Sequence, residues 1–286
     1  MQTGQRVALS GMIVSGALAA VKITAGLMGS SHAVVADGLE SLGDVFSSGI
    51  VLLGLTVAVR PADWNHPYGH GRVETLTGLF VGFVLGMAGV AISANAVLHI
   101  GAVHAPPASF VVWPLIGSAL AKSVLSGVKF HFGRKIRSAA LMADAWHDGV
   151  DIVSALAALV AVSFTILAPG QFPSADHWGA FAVGLIVIFS GLRVARDTSM
   201  QLMDTMPGGE TMAKIRDVAV TVPGVRGIEK CYARKTGLQY HVDLHLEVDP
   251  EITVRQSHDI ATQVRIVIRE TLPWVADVLV HVEPAP

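Results

Sequence analysis

Long apolar segments separated by short polar breaks occupy the first two thirds of the chain. A helix needs about 20 mostly apolar residues to cross a bilayer. Each break is rich in Pro, Gly or Ser, which are typical of turns. The predicted spans are residues 8–28, 33–58, 74–99, 110–130, 139–167 and 178–201. The pattern therefore predicts six transmembrane helices, and it favours a retained first helix over a cleaved signal peptide.

The pattern changes after the sixth span to that of a small α+β domain. Helical periodicity appears twice, and runs of alternating apolar and polar residues appear three times. The predicted order is a helix at 209–221, strands at 227–235 and 239–248, a helix at 253–271 and a strand at 276–283. The order α-β-β-α-β is typical of a ferredoxin-like fold. We expect a transmembrane domain over 1–204 and a cytoplasmic domain over 205–286 that binds metal and dimerises.

Composition agrees with this division. Apolar residues make up 52% of the 286-residue chain and charged residues 15%, against about 25% charged in an average soluble domain. The charged share is about 11% before residue 205 and about 24% after it. A formal net charge of −2 argues against nucleic-acid binding. Cys231 is the single cysteine, which excludes an internal disulfide. The sequence has no G-x-x-x-x-G-K-S/T motif, so nothing in it indicates a nucleotide-binding site.

Basic residues lie on one side of the predicted membrane topology. The first, third and fifth connections contain no Lys or Arg, whereas the N-terminus, the other connections and the end of the sixth span do. These residues are Arg6, Arg60, Arg72, Arg134, Lys135, Arg137, Arg193 and Arg196. Cytoplasmic segments carry the excess of positive charge. We therefore expect both termini to be cytoplasmic and the protein to lie in the cell inner membrane.

Candidate metal ligands occur inside two spans, where ionisable residues are costly and usually functional. Span two contains Glu40 and Asp44, and span five contains His147 and Asp151, each pair in the pattern A-D-x-x-(E/H)-x-x-x-D. Residues four apart share one helix face. Three carboxylates and one imidazole can form a tetrahedral site for a divalent cation. The alternative is a structural polar cluster that joins the two helices.

Other polar and small residues within the spans have less specific interpretations. Asp37 and Asp144 are each either a further ligand or a polar residue near the outer mouth, with a role in access or proton handling. Asp148 is offset from the ligand face and is a candidate for the outer coordination sphere. Lys22 is expected near the outer surface. The Gly78–Gly86 stripe, with glycine at every fourth residue, predicts a helix-packing or dimer face.

The connection between spans two and three contains a third set of ligand types. Asp63, His66 and His70 follow a D-x-x-H-x-x-x-H spacing, and both histidines belong to the segment H-P-Y-G-H-G. Such donors suit Zn²⁺ or a similar cation. Spacing alone leaves open a tight turn with solvated imidazoles.

These features together resemble the cation diffusion facilitator family of metal/proton antiporters. The resemblance rests on the two span motifs, the H-P-Y-G-H-G loop and the cytoplasmic tail. It implies a transport site at the four span residues and a second metal site at the loop in some members. It also implies an inter-subunit charge interlock between Arg72 and Asp204. The first transport ligand is usually His or Asp in zinc carriers of the family, whereas it is Glu40 here.

The tail domain offers ligand types on three elements. A period of two places four of them on one face of the second strand. The full set is His241, Asp243, His245, Glu247, His258, His281 and Glu283. The favoured ligands are His245, His281, Glu283 and His258, with His241 and Asp243 as further candidates. The alternative is a solvated sheet face, and the resemblance favours metal binding between two subunits.

The sequence therefore predicts a homodimer that exports divalent metal in exchange for protons across the lipid bilayer. Zn²⁺ is the first candidate as substrate and regulator, with Fe²⁺, Mn²⁺, Cd²⁺ and Co²⁺ as others. A membrane sensor or scaffold that binds cations without moving them is the alternative. An intramembrane metalloenzyme is disfavoured because H-E-x-x-H is absent and four protein ligands leave no position for catalytic water. We expect no enzymatic activity.

Overall fold

The computed structural model describes residues 2–100, 106–135 and 139–286. Within those ranges the side chains of 2–11, 51, 52, 55, 133, 135 and 139–144 are outside the description. Arg137 and the side chains of Arg6, Lys135 and Asp144 therefore fall outside it. The long helices are α1 (Gln2–Met28), α2 (His32–Ala58), α3 (Arg72–His99), α4 (Val112–Lys135), α5 (Ala139–Leu167) and α6 (Ala175–Leu202). These bounds agree with the six predicted spans.

Four of the described helical stretches are long and apolar enough to cross a membrane. They are Arg72–His99, Ser109–Phe132, Ala145–Leu167 and Ala175–Leu202, with mean hydropathies from 1.5 to 2.3. The first helix has a shorter apolar stretch, Met12–Met28. The second carries three carboxylates, Asp37, Glu40 and Asp44.

The C-terminal part has the predicted α-β-β-α-β order. Its elements are α7 (Gly209–Ala219), β1 (Gly227–Thr236), β2 (Gln239–Val248), α8 (Val254–Thr271) and β3 (Val275–Pro284). The sheet order is β1-β2-β3, with β1 antiparallel and β3 parallel to β2. Thr253 begins α8 with a capping box, in which its hydroxyl accepts from the Gln256 N–H and its own N–H donates to the Gln256 side chain. The ferredoxin-like prediction is confirmed.

Strand β2 separates the apolar core of this domain from the candidate ligands. Its apolar residues alternate with the polar ones and are buried together with residues of α7 and α8, such as Ile215 and Ile268. The buried β2 residues are Val242, Leu244, Leu246 and Val248. Successive side chains of a strand point to opposite faces. The ligand types on β2 therefore occupy the sheet face opposite the two helices.

The chain divides into two compact units, Met1–Ile50 with Phe80–Val194, and Val51–Leu79 with Ala195–Pro286. In the first unit, α3 and α6 approach closely at glycines. A Cβ atom on Gly191 would lie 2.5 Å from the Gly86 nitrogen and 2.8 Å from the Gly82 oxygen. The glycine stripe of α3 is thus a packing face within the chain, because only glycine permits this backbone approach.

Candidate metal centre

Ligand atoms from α2 and α5 meet within the helical unit. The Nε2 atom of His147 lies 3.0 Å from Oδ1 of Asp44. Ligand atoms of Asp44, His147 and Asp151 all lie within 4.8 Å of one another. Asp151 is buried, the Asp44 side chain is 13% exposed and the His147 side chain is 43% exposed. The two helices therefore bring together three of the four ligands predicted in the spans.

Glu40 is buried one turn before Asp44 but lies outside this three-residue group among the described residues. Its Oε1 atom accepts a hydrogen bond of 2.9 Å from Ser154 Oγ. The rotation of α2 against α5 directs Glu40 toward Ser154, which lies one turn beyond Asp151. The predicted four-ligand set is thus a three-residue group with a neighbouring carboxylate.

Several buried carboxylate oxygens at this position have no hydrogen-bond partner in the described part of the chain. They are Oε2 of Glu40, Oδ2 of Asp44 and Oδ1 of Asp151. A buried polar atom without a partner is destabilising. Metal binding would provide those oxygens with a positively charged partner.

Helix α4 contributes two buried lysines that the sequence interpretation did not connect to the site. Lys122 Nζ lies 2.5 Å from Oδ2 of Asp151 and 3.2 Å from Oδ1 of Asp148. Lys129 Nζ lies 2.6 Å from Oδ2 of Asp148. The sequence feature that could have revealed them is the presence of two lysines seven residues apart within an apolar span, since charged residues in a span usually face the bundle interior. The site therefore combines carboxylates with fixed positive charge.

The expectation that Lys22 lies near the outer surface is wrong. Lys22 is 1% exposed, and its Nζ atom lies 2.8 Å from Asp37 Oδ2 and 2.7 Å from Ser41 Oγ. Helices α1 and α2 approach closely here because Gly38 has no side chain, and a Cβ atom there would lie 2.9 Å from the Ile23 nitrogen. Asp37 therefore forms a buried ion pair between α1 and α2.

The loop before α3 brings its three predicted ligands together. Ligand atoms of Asp63, His66 and His70 lie within 4.8 Å of one another. Asp63 Oδ1 accepts from the His66 N–H at 2.8 Å and the Asn65 N–H at 3.2 Å. Desolvation raises the pKa of the Asp63 carboxyl, but these hydrogen bonds and the His66 ring outweigh it and hold the pKa below its ordinary value. Asp63 is therefore a carboxylate suited to a cation.

The predicted interlock residues are paired within one chain. Arg72 Nη2 donates to Asp204 Oδ1 at 2.8 Å, and both side chains are about half exposed. An exposed pair of this kind is worth about 0–1 kcal/mol.

In the C-terminal domain, β2 and β3 place three ligand types side by side. His245 and His281 are register partners, as are Glu247 and Glu283. Ligand atoms of His245, His281 and Glu283 lie within 4.8 Å of one another. His245 Nδ1 lies 2.6 Å from Glu283 Oε1 and 3.7 Å from Glu229 Oε2. Glu229 was not among the predicted ligands. It lies on β1, the strand that pairs with β2.

The structure does not bring the other predicted ligands of this domain into that group, as far as the described residues extend. His258 is exposed on α8, which packs on the opposite face of the sheet. Asp243 lies 3.4 Å from the Arg234 guanidinium. His241 lies next to the Tyr68 ring, with centroids 5.8 Å apart. Burial, followed by the Arg234 charge, lowers the pKa of His241 below its ordinary value.

Apolar helices that enclose a group of candidate metal ligands are the arrangement expected of a membrane cation transporter. Residues 8–203 match the cation efflux transmembrane domain and 207–285 match the cation efflux protein cytoplasmic domain. The chain therefore belongs to the cation diffusion facilitator family. It is a multi-pass membrane protein for divalent metal cation efflux.

The chain is similar to several known proteins. Manganese efflux system protein MneP of Bacillus subtilis (strain 168) is 31% identical over 99% of this chain and 97% of its own length. Metal tolerance protein C1 of Arabidopsis thaliana is 29% identical, and the match covers 99% of this chain and 63% of that protein. A solved nickel-form variant of MamM CTD is 31% identical, covering 27% of this chain and 99% of its own, with a TM-score of 0.26.

Proposed function

We propose that this chain is a homodimeric exporter that exchanges cytoplasmic divalent metal for protons, with Asp44, His147 and Asp151 as the transport site. The observation that carries the proposal is a set of buried carboxylate oxygens beside the His147–Asp44 contact that have no hydrogen-bond partner among the described residues. These atoms belong to two helices, so a change in the packing of α2 against α5 alters the coordination of the ion. Loss of coordination would release the metal.

The His147–Asp44 contact provides a route for proton exchange. In this contact Nε2 of His147 donates to Oδ1 of Asp44. A metal ion needs the Nε2 lone pair, so metal binding requires loss of that proton. Metal and proton therefore compete for the same nitrogen atom. This competition supports antiport without a nucleotide.

The donor set favours Mn²⁺ as the substrate over the Zn²⁺ that the sequence placed first. Two carboxylates and one imidazole form the group, and the neighbouring Glu40 adds a third carboxylate. Carboxylate oxygen suits Mn²⁺, whereas Zn²⁺ gains more from imidazole and thiolate donors. The similarity to MneP, named as a manganese efflux protein, points the same way.

The remaining features support a cytoplasmic, paired tail. The basic residues of the even-numbered connections favour cytoplasmic termini in the inner membrane. The family model of the tail, ZT_dimer, supports a homodimer. We propose that metal at His245, His281 and Glu283 and at the Asp63 loop regulates transport. Arg72 and Asp204 would support the subunit arrangement.

Transport into proteoliposomes with an imposed pH gradient tests the proposal. We expect Mn²⁺ and Zn²⁺ uptake to rise with the gradient, and Asp44→Ala and Asp151→Ala to reduce it at least about 100-fold. Asp197→Asn, an exposed carboxylate of α6, is the matched control and should keep wild-type rates. Metal binding without uptake would instead identify the sensor alternative.

A further inference from the structure

Three imidazoles from three different helices lie close together within the helical unit. His32 begins α2, His99 ends α3 and His177 lies in the first turn of α6. The ring centroids are 4.5 Å apart for His32 and His177, 5.7 Å for His32 and His99, and 6.4 Å for His99 and His177. His177 is 3% exposed, and the other two are partly exposed. We call these residues the histidine triad.

The Asp176 carboxylate holds the backbone of two members of the histidine triad in place. Oδ2 of Asp176 accepts from the His32 N–H at 2.5 Å, and its Oδ1 accepts from Ser31 Oγ at 2.5 Å. Asp176 therefore caps the N-terminus of α2 and ties it to the start of α6. Because His177 follows Asp176 directly, this cap holds the His32 and His177 rings close together.

One ring nitrogen of the third imidazole is hydrogen-bonded to the backbone. Nδ1 of His99 lies 2.7 Å from the carbonyl oxygen of Asn95, so this nitrogen carries a proton and donates it. The neutral ring then has its lone pair on Nε2. Metal-binding histidines usually donate the other ring N–H to a carbonyl or carboxylate in this way.

The spacing of the rings also matches metal coordination. A Zn–N distance of about 2.1 Å and tetrahedral angles place the centroids of coordinating imidazoles about 5 Å apart. The three observed distances lie on either side of that value. The rings are stacked at 15–29°, so coordination needs side-chain rotation that turns one nitrogen of each toward a common point.

We propose that the histidine triad is a separate binding site for a late first-row divalent ion, such as Zn²⁺, Co²⁺ or Ni²⁺. Imidazole donors favour these ions over Mn²⁺. His32 precedes Asp44 by 12 helical residues, which places the triad about 18 Å along α2 from the transport site. A bound ion would link the ends of α2, α3 and α6.

Equilibrium dialysis of the full-length protein against Zn²⁺ alone tests the site. We expect His99→Gln and His32→Gln each to lower the affinity for one of the bound Zn²⁺ ions at least about tenfold. Losing a ligand should reduce metal affinity no less than losing the partner that supports a ligand. His131→Gln, which changes an exposed imidazole of α4, is the matched control and should retain every equivalent. Asp44→Ala should keep the triad equivalent and lose transport, which separates this site from the transport site.

Size-exclusion profiles and metal-free melting temperatures establish that each variant is folded. If one triad variant does not fold, the other still tests the site. Cobalt absorption gives a second readout, because a nitrogen-ligated Co²⁺ band should disappear in His99→Gln and remain in His131→Gln. Unchanged Zn²⁺ affinity and stoichiometry in both triad variants would overturn the proposal. An equal loss in His131→Gln would overturn it as well.

Discussion

Lys122 Nζ lies 2.5 Å from the Asp151 carboxylate, inside an apolar helix bundle. Both side chains are buried, at 2% and 5% exposure. A buried carboxylate costs several kcal/mol unless it is paired, so the lysine stabilises Asp151 in the absence of metal. The same ammonium group competes with any cation for Oδ2 of Asp151. Lys122 thus links the stability of the metal-free protein to its metal affinity.

The first prediction is that Lys122→Gln raises metal affinity while lowering stability. Removing the competing charge should tighten Mn²⁺ binding about tenfold, whereas metal-free unfolding should become easier by about 3–5 kcal/mol, as for other broken buried pairs. Calorimetric titration and thermal melting measure the two effects. Lys129→Gln is the control for metal affinity, because Lys129 is also buried but pairs with Asp148. Weaker Mn²⁺ binding in Lys122→Gln would contradict this role.

The second prediction concerns the side chain at position 40. Glu40 hydrogen-bonds to Ser154 and lies next to the ligand group. Glu40→His would add an imidazole, which favours Zn²⁺ over Mn²⁺. We expect the Zn²⁺ to Mn²⁺ ratio of initial uptake rates to rise about tenfold. Glu40→Gln, which keeps the length without an imidazole, should not raise it. An unchanged ratio in Glu40→His would mean that position 40 does not contact the ion.

The helices and strands could be predicted from local patterns, because each pattern is a property of a single element. Apolar runs between turn-rich breaks predict the six long helices α1 to α6, and strict alternation predicts β2. The capping box at Thr253 is also local, since both of its partners lie within four residues. The i, i+4 spacing predicted that Asp44 shares a face of α2 with Glu40 and that His147 shares a face of α5 with Asp151.

Contacts that depend on the rotation of one helix against another could not be predicted from those patterns. Glu40 and Ser154 are 114 residues apart, and Lys122 and Asp151 are 29 apart. Both contacts are fixed by how α2, α4 and α5 turn toward one another. The position of His258 could not be predicted for the same reason, since its helix packs on the face of the sheet opposite His245.

The third prediction concerns the C-terminal metal group. A ligand that binds only the folded state stabilises it by about 2.7 kcal/mol at 100 times its dissociation constant. We expect Zn²⁺ to raise the unfolding temperature of the C-terminal domain in the full chain, and His281→Ala to remove most of that increase. His258→Ala is the matched control because His258 is exposed away from the group. Equal responses in the two variants would rule out the assignment of His281.

The fourth prediction is a loss of stability in mild acid that originates at His241. Burial and the Arg234 guanidinium lower its pKa, and Arg72 acts in the same direction. Asp277 and Asp243 oppose them without cancelling the shift. The unfolded chain therefore takes up this proton first as the pH falls through about 6.5. Proton uptake by the unfolded state lowers stability, so the contribution is complete above that pH and declines below it.

Hydrogen exchange of β2 amides in the full-length protein measures this effect, with variants compared at equal pH. Between pH 7 and pH 5 we expect protection in the wild type to fall severalfold more than in His241→Gln, which has no titrating group at this position. His258→Gln, which removes an exposed imidazole of α8, should follow the wild type. If His241→Gln lost protection as steeply as the wild type, the acid sensitivity of the domain would not originate at His241.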